Sequence, residues 1–169
     1  MEMNFCRRCG AKLKLLSRDV YECEKGHTIF MNAPCGVGLV ILNEKNEVLA
    51  LKRALDPGKG TLDLPGGFCD GAESLEDAVA REILEETGLN PSDYTKPEFI
   101  LSAIDPYKYA GEEHMVLGVM FSAKLLTAAE PKAADDAAEA GFMPLKDVAL
   151  DEVFFPSVRA AFAWAKQRQ

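Results

Sequence analysis

The chain has 169 residues, 48% hydrophobic and 27% charged, enough for one ordinary domain with a buried core and a small appendage. This mixture excludes disordered, collagenous and low-complexity chains, and no apolar run approaches the roughly eighteen residues of a bilayer-spanning helix. The formal net charge of −8 argues against a protein that coats nucleic acid, because phosphate binding needs a positive field. Residues 1–34 carry six Lys/Arg against four Asp/Glu, and the remainder thirteen against twenty-three, so two differently charged segments, 1–34 and 35–169, are expected. The start, Met1 to Phe5, lacks a basic and then apolar stretch, which predicts a cytoplasmic location and no membrane partner.

Three of the five cysteines fall early, as Cys6-x2-Cys9, then Cys23 followed by His27. A C-x2-C turn lets two thiolates converge on one cation, and a second pair after a short hairpin closes a tetrahedral site of the structural zinc type. Cys6, Cys9, Cys23 and His27 are the expected Zn2+ ligands. His27 is one residue later than a second C-x2-C knuckle would place it, so Glu24 or water is the alternative fourth ligand. About thirty residues cannot bury a self-sufficient core, so metal would supply folding energy here. Cys35 and Cys69 have no partner spacing and read as small buried residues.

From residue 35 the pattern changes. The apolar run 35–42 predicts a strand, residues 43–47 a polar turn, and 48–53 a second strand. Residues 55–68 read as irregular. Ser74, followed by Asp77, marks a helix start, Leu75, Val79 and Ile83 an inward stripe, and Gly88 the stop. Further strands are expected at 99–104, 114–125 and 142–144. Residues 128–141 read as an acid- and Ala-rich loop with a short helical turn, and 156–167 as a terminal amphipathic helix.

On the central helix Glu82, Glu85 and Glu86 stand at i, i+3 and i+4, so three carboxylates share one face. On a helical wheel Glu82 and Glu86 flank the inward stripe and border the core. Partly buried acids without enough local cations call for a metal, and oxygen-only donors favour Mg2+ or Mn2+. Glu73 adds an acid at the loop–helix junction, and Arg81 can hold one of these carboxylates in place. An acid-rich solvated face is the bland alternative, but the full spacing is Gly67-x5-Glu73-x7-Arg81-Glu82-Ile83-x-Glu85-Glu86-x-Gly88-Leu89. Seven fixed positions match by chance on the order of once in a billion start sites.

This pattern resembles the signature of the Nudix hydrolases, and the preceding run 62–68 resembles the segment that enters it. The resemblance covers residues 35–169 and implies an α+β fold, an α/β/α sandwich around a mixed sheet, here preceded by a small zinc ribbon. It implies metal-dependent hydrolysis of a nucleoside diphosphate linked to X, giving NMP and phospho-X. Carried onto this chain, Glu82, Glu85, Glu86 and the Gly66 carbonyl would hold Mg2+ or Mn2+, with Arg81 orienting the acids. A loop acid sometimes serves as base in this family, and Glu139 is the candidate. Arg53 is the candidate phosphate contact, and Tyr107, or else Tyr109, the candidate base-stacking residue.

A ribbon at the N-terminus resembles the NAD diphosphatase branch, but that branch's downstream Ser-Gln-Pro-Trp-Pro-Phe-Pro-x-Ser is absent from 102–111. Pro106 and Tyr107 loosely satisfy the indicators of ADP-ribose and of dinucleoside polyphosphate hydrolases, so the substrate stays open within nucleotide-type small molecules. The rival readings are a nucleotide sensor on the same fold, and a ribbon that binds a partner or nucleic acid through Arg7, Arg8, Lys12 and Lys14. By family analogy the ribbon reads as a packing or homodimer module.

Overall fold

The structure is a computed structural model that describes residues 3–168. Contacts divide the chain into two compact units, Met1–Ala33 and Pro34–Gln169. The first holds an antiparallel three-stranded sheet of β1 (Leu13–Ser17), β2 (Val20–Cys23) and β3 (Thr28–Phe30), in that order. Its core is Cys6, Cys23 and Ile29 with Leu13 and Tyr21 against them, too little apolar surface to hold thirty residues unaided.

The second unit is an α+β sandwich. Its strands are β4 (Cys35–Leu42), β5 (Glu47–Arg53), β6 (Leu62–Asp63), β7 (Glu98–Tyr109), β8 (Glu112–Lys124) and β9 (Ala137–Pro144). The sheet runs β6-β5-β4-β8-β7 with β9 on the other side of β5, and it is mixed because β4 and β8 pair in parallel while the rest pair antiparallel. Helix α1 (Leu75–Thr87) covers one face and α2 (Pro156–Lys166) the other. Leu39 and Ile41 face the α1 core and Val40 the α2 core, which explains why β4 is apolar at every inner position.

Two features of the sheet place the site. Strands β4 and β5 pair only at Leu42 and Val48, then separate. Residues 62–69 fill the wedge, pairing first with β5 and then with β4, where Val37 N–H donates to the Gly67 carbonyl and Leu39 N–H to Pro65. Next, α1 begins at Ser74, whose hydroxyl accepts from Asp77 N–H, and ends at Gly88, whose left-handed backbone returns its N–H to Leu84. Val79 and Ile83 are fully buried beneath it.

Three expectations need correction. The β7–β8 hairpin is longer than the expected 99–104 and 114–125, because pairing continues to Tyr109 and Glu112 around a tight turn at Ala110 and Gly111, both with positive φ. Pro106 is tolerated because β7 is an edge strand. Residues 137–141 are strand, part of β9, and 128–136 hold no helical turn. Alanine and glycine there carry no β-pattern; pairing with β5 along its whole length decides the conformation.

Candidate active site and metal cluster

In the ribbon, the donor atoms of Cys6, Cys9, Cys23 and His27 all lie within 4.8 Å of one another. Cys6 Sγ is 3.6 Å from His27 Nδ1, and Cys9 Sγ is 3.8 Å from Cys23 Sγ. A tetrahedron with Zn–S near 2.3 Å and Zn–N near 2.0 Å has edges of about 3.6 Å and about 3.8 Å, so this donor set fits a zinc ribbon. His27 reaches the cluster despite its late position because Gly26 takes a left-handed turn, with its N–H on the Cys23 carbonyl, and absorbs the extra residue. Gly10, after Cys9, is also left-handed, with its N–H on the Cys6 carbonyl. Burial pushes the Cys6 thiol up, but the Arg8 N–H and the His27 ring outweigh it and bring it down to about 6.

In the second unit a cavity of about 340 Å³ opens where β4 and β5 part. One end is acidic. Glu86 is 7% exposed and accepts the Gly66 N–H at 2.8 Å. Burial pushes its carboxyl up to about 8; the Gly66 N–H opposes this, and Asp63, Glu82 and Asp136 add repulsion. Glu82 is also raised, chiefly by burial, while Glu85 is half exposed. Arg81 is fully engaged: it donates to Glu73 at 2.6 and 3.2 Å, Glu82 at 2.7 Å, Glu85 at 3.1 Å and the Phe68 carbonyl at 2.9 Å. It thereby ties the glycine loop to the helix and holds Glu73 below the usual carboxylate range.

The glycines are there for close approach. A Cβ on Gly67 would lie 2.5 Å from the Glu82 carboxylate, and one on Gly66, at φ 153°, would strike the Val37 carbonyl. Glu86 is buried and Glu82 half-buried, and Arg81 bonds to Glu82 and Glu85 but not to Glu86, so the oxygen groups at this end are short of positive charge. They fit a hard divalent cation such as Mg2+ or Mn2+.

The other end of the cavity is aromatic. Tyr107 and Phe155 lie parallel, 9° apart with centroids at 6.0 Å, and Phe68 meets Tyr107 edge-on at 5.2 Å. Arg53 lines this end with two of its three nitrogens engaged: Nη1 donates to Asp63 at 2.6 Å, Nε to the Pro57 carbonyl at 2.8 Å, and the group lies over Phe155 at 4.9 Å. Asp63 is raised by burial, which the adjacent Arg53 opposes.

Of the residues singled out from sequence, Gly66, Arg81, Glu82, Glu85, Glu86, Arg53 and Tyr107 all border this cavity. Glu139 does not. It pairs with Lys52 across β5 and β9, exposed, with a 3.3 Å ion pair to that lysine, whereas the next β5 residue, Arg53, turns into the cavity. The acids that the 128–141 segment does bring there are Asp135 and Asp136. The segment is fastened to the end of α1, with Lys132 N–H on the Thr87 carbonyl and Ala134 N–H on Glu86, and Asp135 adopts φ 51°. Asp63, Asp105 and Phe155 also escaped the sequence reading. Only the acid-rich composition of 128–141 hinted at the loop pair.

The profile of the NUDIX domain matches residues 33–165, and the chain belongs to the Nudix family. It is similar to an ADP-ribose pyrophosphatase of Methanocaldococcus jannaschii, 38% identical over 108 residues, covering 64% of this chain and 60% of that one. It is also similar to a putative 8-oxo-dGTP diphosphatase of Bacillus subtilis, 39% identical over 83 residues, 49% of this chain and 51% of that one. The chain thus spans little more than half the length of these relatives. The crystal structure of a NUDIX hydrolase from Nitrosomonas europaea superposes with a TM-score of 0.70 at 25% identity, over 98% of this chain and 92% of that one. No helix among the described residues is long and apolar enough to cross a membrane.

Proposed function

We propose that this protein is a divalent-metal-dependent pyrophosphohydrolase that cleaves a nucleoside diphosphate linked to X into NMP and phospho-X. The observation that carries the reading is one cavity with two chemistries: buried, undercompensated carboxylates at one end and parallel aromatic rings at the other. A nucleoside diphosphate presents a counterpart to each, an anionic diphosphate and a flat base. The likeness to the Methanocaldococcus jannaschii enzyme favours ADP-ribose-like substrates.

Glu82, Glu85, Glu86 and the Gly66 carbonyl would hold Mg2+ or Mn2+. Such ions, when bound, neutralise diphosphate oxygens and lower the pKa of a bound water. The residues do the rest. Arg81 fixes Glu82 and Glu85 in orientation before substrate arrives, so little reorganisation remains for the reaction. Gly66 and Gly67 let the loop backbone lie against the carboxylates. Water attacks one phosphorus, the P–O–P bond breaks, and the proton lost by water goes to a carboxylate; Asp135 and Asp136 are the loop acids in reach of the cavity. In the ribbon, Cys6, Cys9, Cys23 and His27 would hold one structural Zn2+.

The test is nucleotide and phosphate release with Mg2+ across NADH, ADP-ribose, diadenosine polyphosphates, nucleotide sugars and nucleoside triphosphates. We expect ADP-ribose or a close relative to stand above the rest in kcat/KM, with AMP as product. A panel silent for the wild type would overturn the hydrolase reading and favour a nucleotide sensor.

A further inference from the structure

Two cysteines without partners in sequence face each other at the neck of the glycine loop. The Cys69 N–H donates to the Cys35 carbonyl at 2.9 Å and the Val37 N–H to the Gly67 carbonyl at 2.8 Å, with Gly36 and Phe68 bridged antiparallel between them. Cys35, which opens β4, and Cys69 are therefore directly opposed across an antiparallel pair. Residues so opposed carry their side chains on one face, with Cα atoms about 5.5 Å and Cβ atoms about 4.5–5.5 Å apart. A disulfide spans Cα separations of about 4.4–6.8 Å. Both cysteines pack against the core beneath α1, which puts both sulfurs on that face of the sheet.

Among the described residues neither sulfur has a strong partner. Both cysteines are free thiols and half-buried, within reach of a small reagent. Cys35 Sγ makes a loose contact, 3.9 Å from the Gly36 carbonyl. Burial, then the adjacent Cys35 and Glu73, push the Cys69 thiol up to about 12. Cys69 thus stays protonated at neutral pH, which leaves Cys35 to react first.

The position gives the pair leverage. Cys69 sits between two loop anchors: the Phe68 carbonyl accepts from Arg81 Nη2 at 2.9 Å, and the Asp70 N–H donates to Glu73 at 2.6 Å. Gly67 and Phe68 line the cavity. A covalent link from Cys69 to β4 would fix this segment from the sheet side, as Arg81 fixes it from the helix side.

We infer that Cys35 and Cys69 are a redox site, oxidised by small-molecule disulfides to a cross-strand disulfide that clamps the glycine loop to β4. The Cys35 thiolate attacks one sulfur of R–S–S–R, giving Cys35–S–S–R and RS−; the Cys69 sulfur then attacks Cys35 Sγ and releases the second RS−. The two thiol protons pass to the two leaving thiolates, and excess dithiol reverses the reaction. This chemistry does not depend on the pyrophosphohydrolase reading.

To test it, the zinc-loaded wild type is incubated with oxidised glutathione, its remaining thiols are alkylated, and its tryptic peptides are mapped by mass spectrometry. Trypsin leaves Cys35 in residues 26–45 and Cys69 in residues 60–81, each without another cysteine. These two peptides should appear joined, two hydrogens lighter than their sum. Tm should rise by about 5 °C or more, because the bond constrains the unfolded chain. Amide exchange across residues 66–73 should slow, and dithiothreitol should restore the starting mass, Tm and exchange. Cys69→Ser should lose both the joined peptides and the Tm rise, with Cys69→Ala as the second variant if serine perturbs packing. Absence of the joined peptides, a glutathione adduct that stays on Cys35, or a Tm rise that survives in the Cys69 variants would overturn the inference. A disulfide that forms while exchange of the loop stays the same would overturn the clamp.

Discussion

The Cys6–His27 cluster and the α1 carboxylates are the two proposed metal-donor sets, and they differ in donor type and in openness. The ribbon donors are thiolates and an imidazole, four in number, close enough to enclose an ion on all sides. The donors proposed on α1 are carboxylate oxygens, and they line a cavity large enough for a ligand. A closed, soft set has no position left for a substrate and spends its binding free energy on folding. An open, hard set keeps positions for water and phosphate oxygens, and it has the electrostatic strain to show for it, with Glu86 pushed up to about 8. Burial alone does not distinguish them, since Cys6 at 2% and Glu86 at 7% are both buried.

The largest effect expected from breaking this contrast is on chemistry. Glu86→Gln should lower kcat/KM by about a hundredfold to a thousandfold or more, measured on the best substrate of the panel. Its Tm without metal should hold or rise, since the neutral amide escapes the burial that disfavours the carboxylate. A drop in Tm with kinetics unchanged would reverse the assignment of the two sites.

Cys6→Ser should act the other way. Structural zinc in small domains contributes roughly 10–16 kcal/mol of apparent binding free energy, so losing one thiolate should release zinc and melt the ribbon. Mass spectrometry of the native protein reads the zinc loss, and amide exchange across residues 3–33 reads the melting, while the α1 carboxylates remain intact.

Two smaller effects sharpen the account of how the open site is held. Gly118→Ala should cost about 1–3 kcal/mol, because the new methyl collides with the buried Asp105 carboxylate and the Ser157 hydroxyl that donates to it, and thermal unfolding will show it. Glu73 gives a pH signature. Its folded pKa lies below the ordinary 4.5 because Arg81 and the Asp70 N–H favour the charged form. The stability it contributes is therefore present above that ordinary value and lost as pH falls through the lowered one. Glu73→Gln should flatten the acid limb of a Tm-versus-pH curve, and an unchanged acid limb would remove Glu73 from the network.

The helix-borne part of the carboxylate end was legible in the sequence because its parts are local. Ser74, Glu82, Glu85, Glu86 and Gly88 lie within one helix and its caps, where a spacing of three and four residues already fixes the shared face. The aromatic end was legible only in part, through Tyr107 and Arg53. Asp105 and Ser157 are fifty-two residues apart, and only the docking of α2 on β7 turns Phe155 toward Tyr107. The loop acids failed for a related reason. Glu139 and Asp136 are three residues apart, and the choice between them depends on where β9 begins to pair with β5, a tertiary fact that alanine-rich sequence does not announce.

The most direct measurement is an electron paramagnetic resonance titration of Mn2+ into the zinc-loaded wild type and Glu86→Gln, with zinc content followed in the same samples. The account predicts Mn2+ binding that weakens strongly in the variant while both proteins retain one zinc. Equal Mn2+ binding by the two proteins, or zinc lost with Glu86, would contradict it.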